Sequence, residues 1–123
     1  MIRPRLFLES FRHALAGIRT VFEAEQSFRI QVLAALCVIA LAGWLRITFY
    51  EWIVLLVLIG TVLSLELVNS IFERLADAFK PRLHPMVKEV KDIMAGAVLV
   101  MSLVSLTVGI MIFYPYVRTV LSV

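Results

Sequence analysis

Three long apolar segments set the organisation of this chain: residues 30–45, 52–65 and 93–117. A helix that crosses a bilayer needs about 20 predominantly apolar residues, so only the third segment is long enough by itself. The first two must extend into their polar flanks, where a membrane helix enters the interface. The pattern predicts three transmembrane helices, at about residues 28–46, 50–79 and 86–117.

The segment ahead of the first span has a different pattern. Between residues 5 and 21, apolar residues such as Phe7, Phe11 and Leu15 recur at spacings that gather them on one side of a helix, among Arg12 and Arg19. Such a helix lies in the headgroup region with its arginines near anionic lipid. We therefore expect an amphipathic surface helix at about residues 5–21.

Two connections complete the predicted fold. Residues 79–85 contain two prolines, which break the second helix before the third span begins. Residues 46–50 form the opposite turn. The sequence thus predicts an all-α polytopic membrane protein with one membrane domain over residues 1–123.

Composition supports a membrane protein and argues against other classes. The chain is 62% hydrophobic and 17% charged, whereas soluble domains are about 45–50% apolar and about 25% charged. Its net charge is +3, but the basic residues flank apolar spans instead of forming one nucleic-acid-binding surface. Cys37 is the single cysteine, which excludes an internal disulfide and any multi-cysteine metal site.

The basic residues also predict the orientation of the chain. They concentrate in the N-terminal segment and in the connection before the third span, and the opposite side carries only Arg46 and Arg118. By the positive-inside rule, the N-terminus and residues 74–91 face the cytoplasm and the C-terminus lies outside. We expect a multi-pass membrane protein with a cytoplasmic N-terminus.

A polar stripe ends the second span. Glu66, Asn69, Ser70, Glu73 and Asp77 fall on one face of a helix that is apolar before Glu66. A carboxylate near hydrocarbon costs about 2.5–3.5 kcal/mol, so such residues commonly have a function. Glu66 must be neutral, paired across helices or functional.

The charged residues on the predicted cytoplasmic side suit phosphoryl transfer. Magnesium typically takes one or two carboxylates together with substrate phosphates, which makes Glu25 and Glu73 candidate ligands. Lys91 suits a polyphosphate, and Glu66 suits a general base. Each charge alone could be a plain anchor at the interface. The rival class is a small oligomeric transporter that binds a cation or proton at Glu66.

Specific motifs extend this interpretation. In chain order they are Glu25-x-x-Phe28-Arg29, ELVNSIFE at residues 66–73, Asp77, His84 and Lys91-Asp92. Together they resemble the prokaryotic diacylglycerol kinase family, which includes the undecaprenol kinases. The resemblance implies a homotrimeric membrane lipid kinase with three transmembrane helices, which uses MgATP and phosphorylates the hydroxyl of a membrane lipid alcohol.

The resemblance also implies roles for individual residues. Glu66 matches the catalytic base, and Glu25 and Glu73 match the metal ligands. Residues expected near the nucleotide are Asn69, His84, Lys91, Asp92, Gly17 and His13, and those expected near the lipid, beside Glu66, are Ser70 and Trp44.

Three positions are similar to the undecaprenol kinase branch. Gln31 occupies a place where the Gram-negative branch carries a glutamate, and Tyr114-Pro115 resembles the ending of the third span in the undecaprenol branch. Undecaprenol is therefore slightly favoured over diacylglycerol as the expected substrate.

Overall fold

The structure, a computed structural model, describes residues 1–79 and 85–122. Over these ranges it contains four α-helices and no strand. They are α1 (Pro4–Ala24), α2 (Gln26–Leu45), α3 (Phe49–Ala78) and α4 (Pro85–Leu121). The prediction of an all-α fold is confirmed. In the same ranges α2, α3 and α4 are long and apolar enough to cross a membrane, as expected.

Helix length decides where the polar residues lie. At 1.5 Å per residue, α2 is about 30 Å long, close to the thickness of the hydrocarbon core, whereas α3 is about 45 Å long. The excess length of α3 is at its C-terminal end, because its N-terminus is tied closely to α2. We call this end of the bundle, where α1 joins α2 and α4 begins, the polar end.

The junction between α1 and α2 is a single extended residue, Glu25, with φ −117° and ψ 119°. The Arg29 guanidinium donates to the carbonyl oxygens of Phe22 and Glu23 at 3.1 and 2.8 Å. These carbonyls belong to the last turn of α1 and have no partner within the helix. The Phe22 and Phe28 rings also meet edge to face, at 6.5 Å. The junction therefore holds the C-terminal end of α1 against α2.

The turn between α2 and α3 defines the opposite end of the bundle, which we call the turn end. Arg46 adopts the left-handed conformation, with φ 52°, and ends α2. Thr48 and Glu51 then form a reciprocal capping box that begins α3. The Tyr116 hydroxyl of α4 donates to the same Glu51 carboxylate. The three long helices are thus linked at one point.

Within one chain the buried apolar core is small. Ala42, Ile47 and Leu55 form its centre near the turn end. Most large apolar side chains along the spans are exposed, as expected for helices that lipid or other chains cover. The α4 helix continues through Pro115 to Leu121, a few residues beyond the expected end.

Candidate active site at the polar end

Glu66 lies inside the bundle near the polar end, and only 4% of its surface is exposed. Two side chains from α2 donate to it across the α2–α3 interface. The Ser27 hydroxyl lies 2.7 Å from Oε1, and the Gln31 amide nitrogen lies 3.3 Å from Oε2. Each carboxylate oxygen therefore has one neutral donor.

No cation among residues 1–79 and 85–122 forms an ion pair with Glu66. A buried carboxylate without hydrogen bonds is costly, and the two α2 donors reduce that cost. The structure thus shows hydrogen bonds from neutral donors across the α2–α3 interface, and these are compatible with a functional Glu66. Sequence reasoning missed Ser27. Ser27 and Gln31 are four residues apart and so share one face of α2, and this spacing was the sequence feature that indicated a common partner.

The next turn of α3 carries Asn69, Ser70 and Glu73. Asn69 is 7% exposed and Ser70 is fully buried. The Asn69 amide nitrogen donates to Glu73 Oε1 at 3.3 Å. Asn69 Oδ1 and Ser70 Oγ are buried without a hydrogen-bond partner among the described residues. The buried part of the stripe thus has unsatisfied oxygens, which a ligand could satisfy.

Glu25 reaches the same end of α3 through Arg74. Its Oε1 accepts a hydrogen bond from Arg74 Nη1 at 3.0 Å, and the side chain of Glu25 is 16% exposed against 44% for Arg74. The same guanidinium nitrogen lies 3.4 Å from the Ser70 carbonyl oxygen. Sequence reasoning gave Arg74 only a topological role. The structure places it between the proposed metal ligand and the stripe.

These donors fit magnesium only with help from a substrate. The described part of the chain contains no group of three or more His, Cys, Asp or Glu side chains arranged to hold a metal ion. Glu25 and Glu73 offer hard carboxylate oxygens, and Asn69 Oδ1 is a buried oxygen without a partner there. Magnesium is often held by one or two carboxylates plus substrate phosphates, and these residues supply oxygen ligands of that type.

Lys91 faces the outer part of the stripe from α4. Its Nζ lies 4.0 Å from Asp77 Oδ1, and both side chains are substantially exposed. A distance of 4.0 Å is the longest that counts as an ion pair, and an exposed pair of this length contributes little stabilising free energy. The Lys91 ammonium is therefore available for another anion. Asp92, the next residue, is exposed. His84 lies outside the described residues.

Three expected site residues do not join this cluster within one chain. His13 and Gly17 are exposed on α1, N-terminal to the part that packs on the bundle. Trp44 is 70% exposed near the end of α2, about 20 Å along the helix from Gln31. Within one chain Trp44 therefore lies far from Glu66 and Ser70, and its contact with the lipid stays a prediction.

An apolar cleft begins beside the Glu66 cluster. It has a volume of about 390 Å³, lies between α2, α3 and α4, and extends from Gln31 past Val38 and Leu106 to Phe113. Gln31 thus lines the cleft and also donates to Glu66. Its Oε1 is buried without a partner in the described ranges.

The fold and this cluster define a class: a helical membrane protein with a buried carboxylate at one end of its spans, beside further acids, an arginine and a lysine. Residues 12–113 match the family model for prokaryotic diacylglycerol kinase, and the chain belongs to that family. It is a membrane lipid kinase. The family does not favour the transporter interpretation.

Individual relatives agree with this assignment. The undecaprenol kinase of Bacillus subtilis is 37% identical over 110 residues, which cover 89% of each chain. The diacylglycerol kinase of Synechocystis is 34% identical over 109 residues, 88% of this chain and 62% of that protein. The diacylglycerol kinase of Helicobacter pylori strain J99 is 33% identical over 96 residues, 78% of this chain and 74% of that protein.

Proposed function

We propose that this protein transfers the γ-phosphate of MgATP to the hydroxyl of a membrane lipid alcohol, with Glu66 as general base. The proposal rests mainly on the environment of the Glu66 carboxylate. It is almost completely buried and hydrogen-bonded only by neutral donors among the described residues. A carboxylate oxygen accepts more than one hydrogen bond, so Glu66 retains capacity for a substrate hydroxyl.

The proposed reaction is an in-line displacement. The lipid oxygen forms a bond to the γ-phosphorus, the bond from that phosphorus to the β,γ-bridging oxygen breaks, and ADP leaves. The hydroxyl proton passes to Glu66 as the lipid oxygen attacks. The apolar chain of the substrate stays in the bilayer, so the hydroxyl arrives at the depth of the headgroups, where the stripe leaves the hydrocarbon.

The nucleotide is assigned to the outer part of the stripe. Lys91 would contact its phosphates, while Glu25 and Glu73 would hold the magnesium ion with Asn69 nearby. When bound, the ion supplies neutralisation of the negative charge on the transferring phosphate. Asp92, His84, Gly17 and His13 remain proposed nucleotide contacts. ATP is cytoplasmic, which agrees with the orientation from the positive-inside rule and with location in the bacterial cytoplasmic membrane.

For the lipid we propose undecaprenol ahead of diacylglycerol. The support is the similarity to the undecaprenol kinase of Bacillus subtilis over 89% of both chains, together with Gln31 and Tyr114-Pro115. Ser70, buried beside Glu66, is the proposed lipid contact.

The exposed apolar faces of the spans support assembly with further copies, and we propose a homotrimer.

The direct test is transfer of radiolabel from γ-labelled ATP in mixed micelles that contain equal amounts of undecaprenol and diacylglycerol. We expect label in both lipid fractions or in one, with undecaprenol phosphate in excess. Omission of magnesium and the Glu66→Gln variant are the matched blanks. Absence of label from both lipids would contradict the lipid-kinase proposal, and an excess of phosphatidic acid would reverse the substrate preference.

A further inference from the structure

Ser27 and Gln31 approach Glu66 from one face of α2, one helical turn apart. Ser27 donates to Oε1 and Gln31 to Oε2, so the two contacts together fix the plane of the carboxylate. A glutamate side chain has three rotatable bonds, and the two α2 donors hold the carboxylate in the conformation of the structure.

We infer that Ser27 is a positioning residue for the proposed base, with Gln31 supporting it on the other carboxylate oxygen. This inference rests on the proposed function of Glu66. The contact from Ser27 is the shorter, 2.7 Å against 3.3 Å, and hydrogen bonds to charged acceptors strengthen as they shorten. Ser27 therefore dominates the orientation.

The consequence for catalysis is specific. General-base catalysis requires the base oxygen within hydrogen-bond reach of the hydroxyl that it deprotonates. Misplacement by about 1 Å can cost about 100-fold in rate. Loss of the Ser27 hydroxyl would release Oε1 while leaving Lys91, Glu25 and Glu73 in place. It should therefore lower kcat and leave the KM for MgATP nearly unchanged.

The test compares Ser27→Thr with Ser27→Val. These variants have nearly the same shape, and only threonine retains a hydroxyl, so any effect of bulk or folding is common to both. We expect kcat to be about 10- to 100-fold higher for threonine than for valine, the range for a hydrogen bond to a charged group. Ser64→Ala, at an exposed serine of α3, should match the unsubstituted protein.

Gln31→Met provides an independent measurement at the second oxygen. Methionine has a similar length and no amide, so we expect a smaller fall in kcat than in Ser27→Val, again at constant KM for MgATP. Thermal unfolding in detergent is followed for every variant, since a purely structural contact would lower thermal stability and spare the kcat of the folded fraction.

The outcomes separate this inference from the proposed function. Equal kcat values for Ser27→Thr and Ser27→Val would overturn the positioning role of Ser27, even if Glu66→Gln were inactive. A parallel rise in KM for MgATP in Ser27→Val would also overturn it, because the residue would then act on the nucleotide. A normal rate in Glu66→Gln would remove the base assignment itself, and the role of Ser27 with it.

Discussion

Arg74 on α3 holds Glu25 at the junction of α1 and α2, with 3.0 Å between Nη1 and Oε1. The contact spans two elements distant in the sequence and occupies a carboxylate that we propose as a magnesium ligand. A magnesium ion bound at Glu25 would therefore compete with the guanidinium. This competition gives a prediction for metal dependence.

Arg74→Gln should raise the apparent affinity for Mg²⁺. A partly exposed ion pair contributes about 0.2–1 kcal/mol, which corresponds to an increase of about 1.5- to 5-fold. The measurement is the initial kinase rate against Mg²⁺ at fixed ATP. Arg19→Gln, which breaks an exposed pair with Glu23 on α1, is the matched control. The expected result is a half-maximal rate at a lower Mg²⁺ concentration. A fall in Mg²⁺ affinity would contradict the competition and would instead place Arg74 with the nucleotide.

Glu66→Gln should retain packing, because glutamine has the same size and can still accept from Ser27 through its amide oxygen. We expect kcat to fall by about 10²–10⁴-fold, the usual contribution of a general base. Helicity by circular dichroism checks the fold, and Glu9→Gln on exposed α1 is the control. A near-normal rate would remove Glu66 from the chemical step.

Glu25→Gln and Glu73→Gln should each increase the Mg²⁺ concentration needed for half-maximal rate. Because both are assigned to one ion, the double variant should lose less than the sum of the two single losses, expressed as free energies. Kinase rates are measured against Mg²⁺ concentration for the unsubstituted protein, the two single variants and the double variant, which together form a double-mutant cycle. Strict additivity, or unchanged metal dependence, would argue against a shared ion.

Gly96→Leu tests assembly. A Cβ added at Gly96 meets nothing within 4 Å in the single chain, and the same holds for Gly60. Flanked by Ala95 and Ala97, Gly96 would let a neighbouring helix approach closely. We expect Gly96→Leu to lower activity and oligomer content by native mass measurement in mild detergent, while Gly60→Leu has less effect. A fully active monomer would contradict the proposed homotrimer.

Tyr116→Phe removes one hydroxyl at the turn end, where Tyr116 of α4 donates to Glu51 of α3. We expect a lower midpoint of thermal unfolding with unchanged kcat and KM, because the turn end is far from Glu66. A selective loss of kcat without loss of stability would show that the two ends of the bundle are coupled.

The sequence predicted those features that depend on local spacing. The four helices follow from apolar segments and breakers, and the burial of Glu66, Asn69 and Ser70 follows from their shared face on α3. Ser27 and Arg74 could not be paired with Glu66 and Glu25 in this way. Their partners lie 39 and 49 residues away in the sequence. These pairs therefore depend on the axial position of α2 relative to α3, which local spacing does not determine.

The continuous α3 helix also sets a fixed distance between its buried carboxylate and its outer carboxylate. The helix carries Glu66 and Glu73 two turns apart, about 10 Å along its axis. If Glu66 contacts the lipid alcohol in the membrane and Glu73 contacts the magnesium ion of MgATP in water, α3 fixes the distance between the two substrates. One inserted residue between them would add only about 1.5 Å but would rotate Glu73 by about 100° away from the face of Glu66.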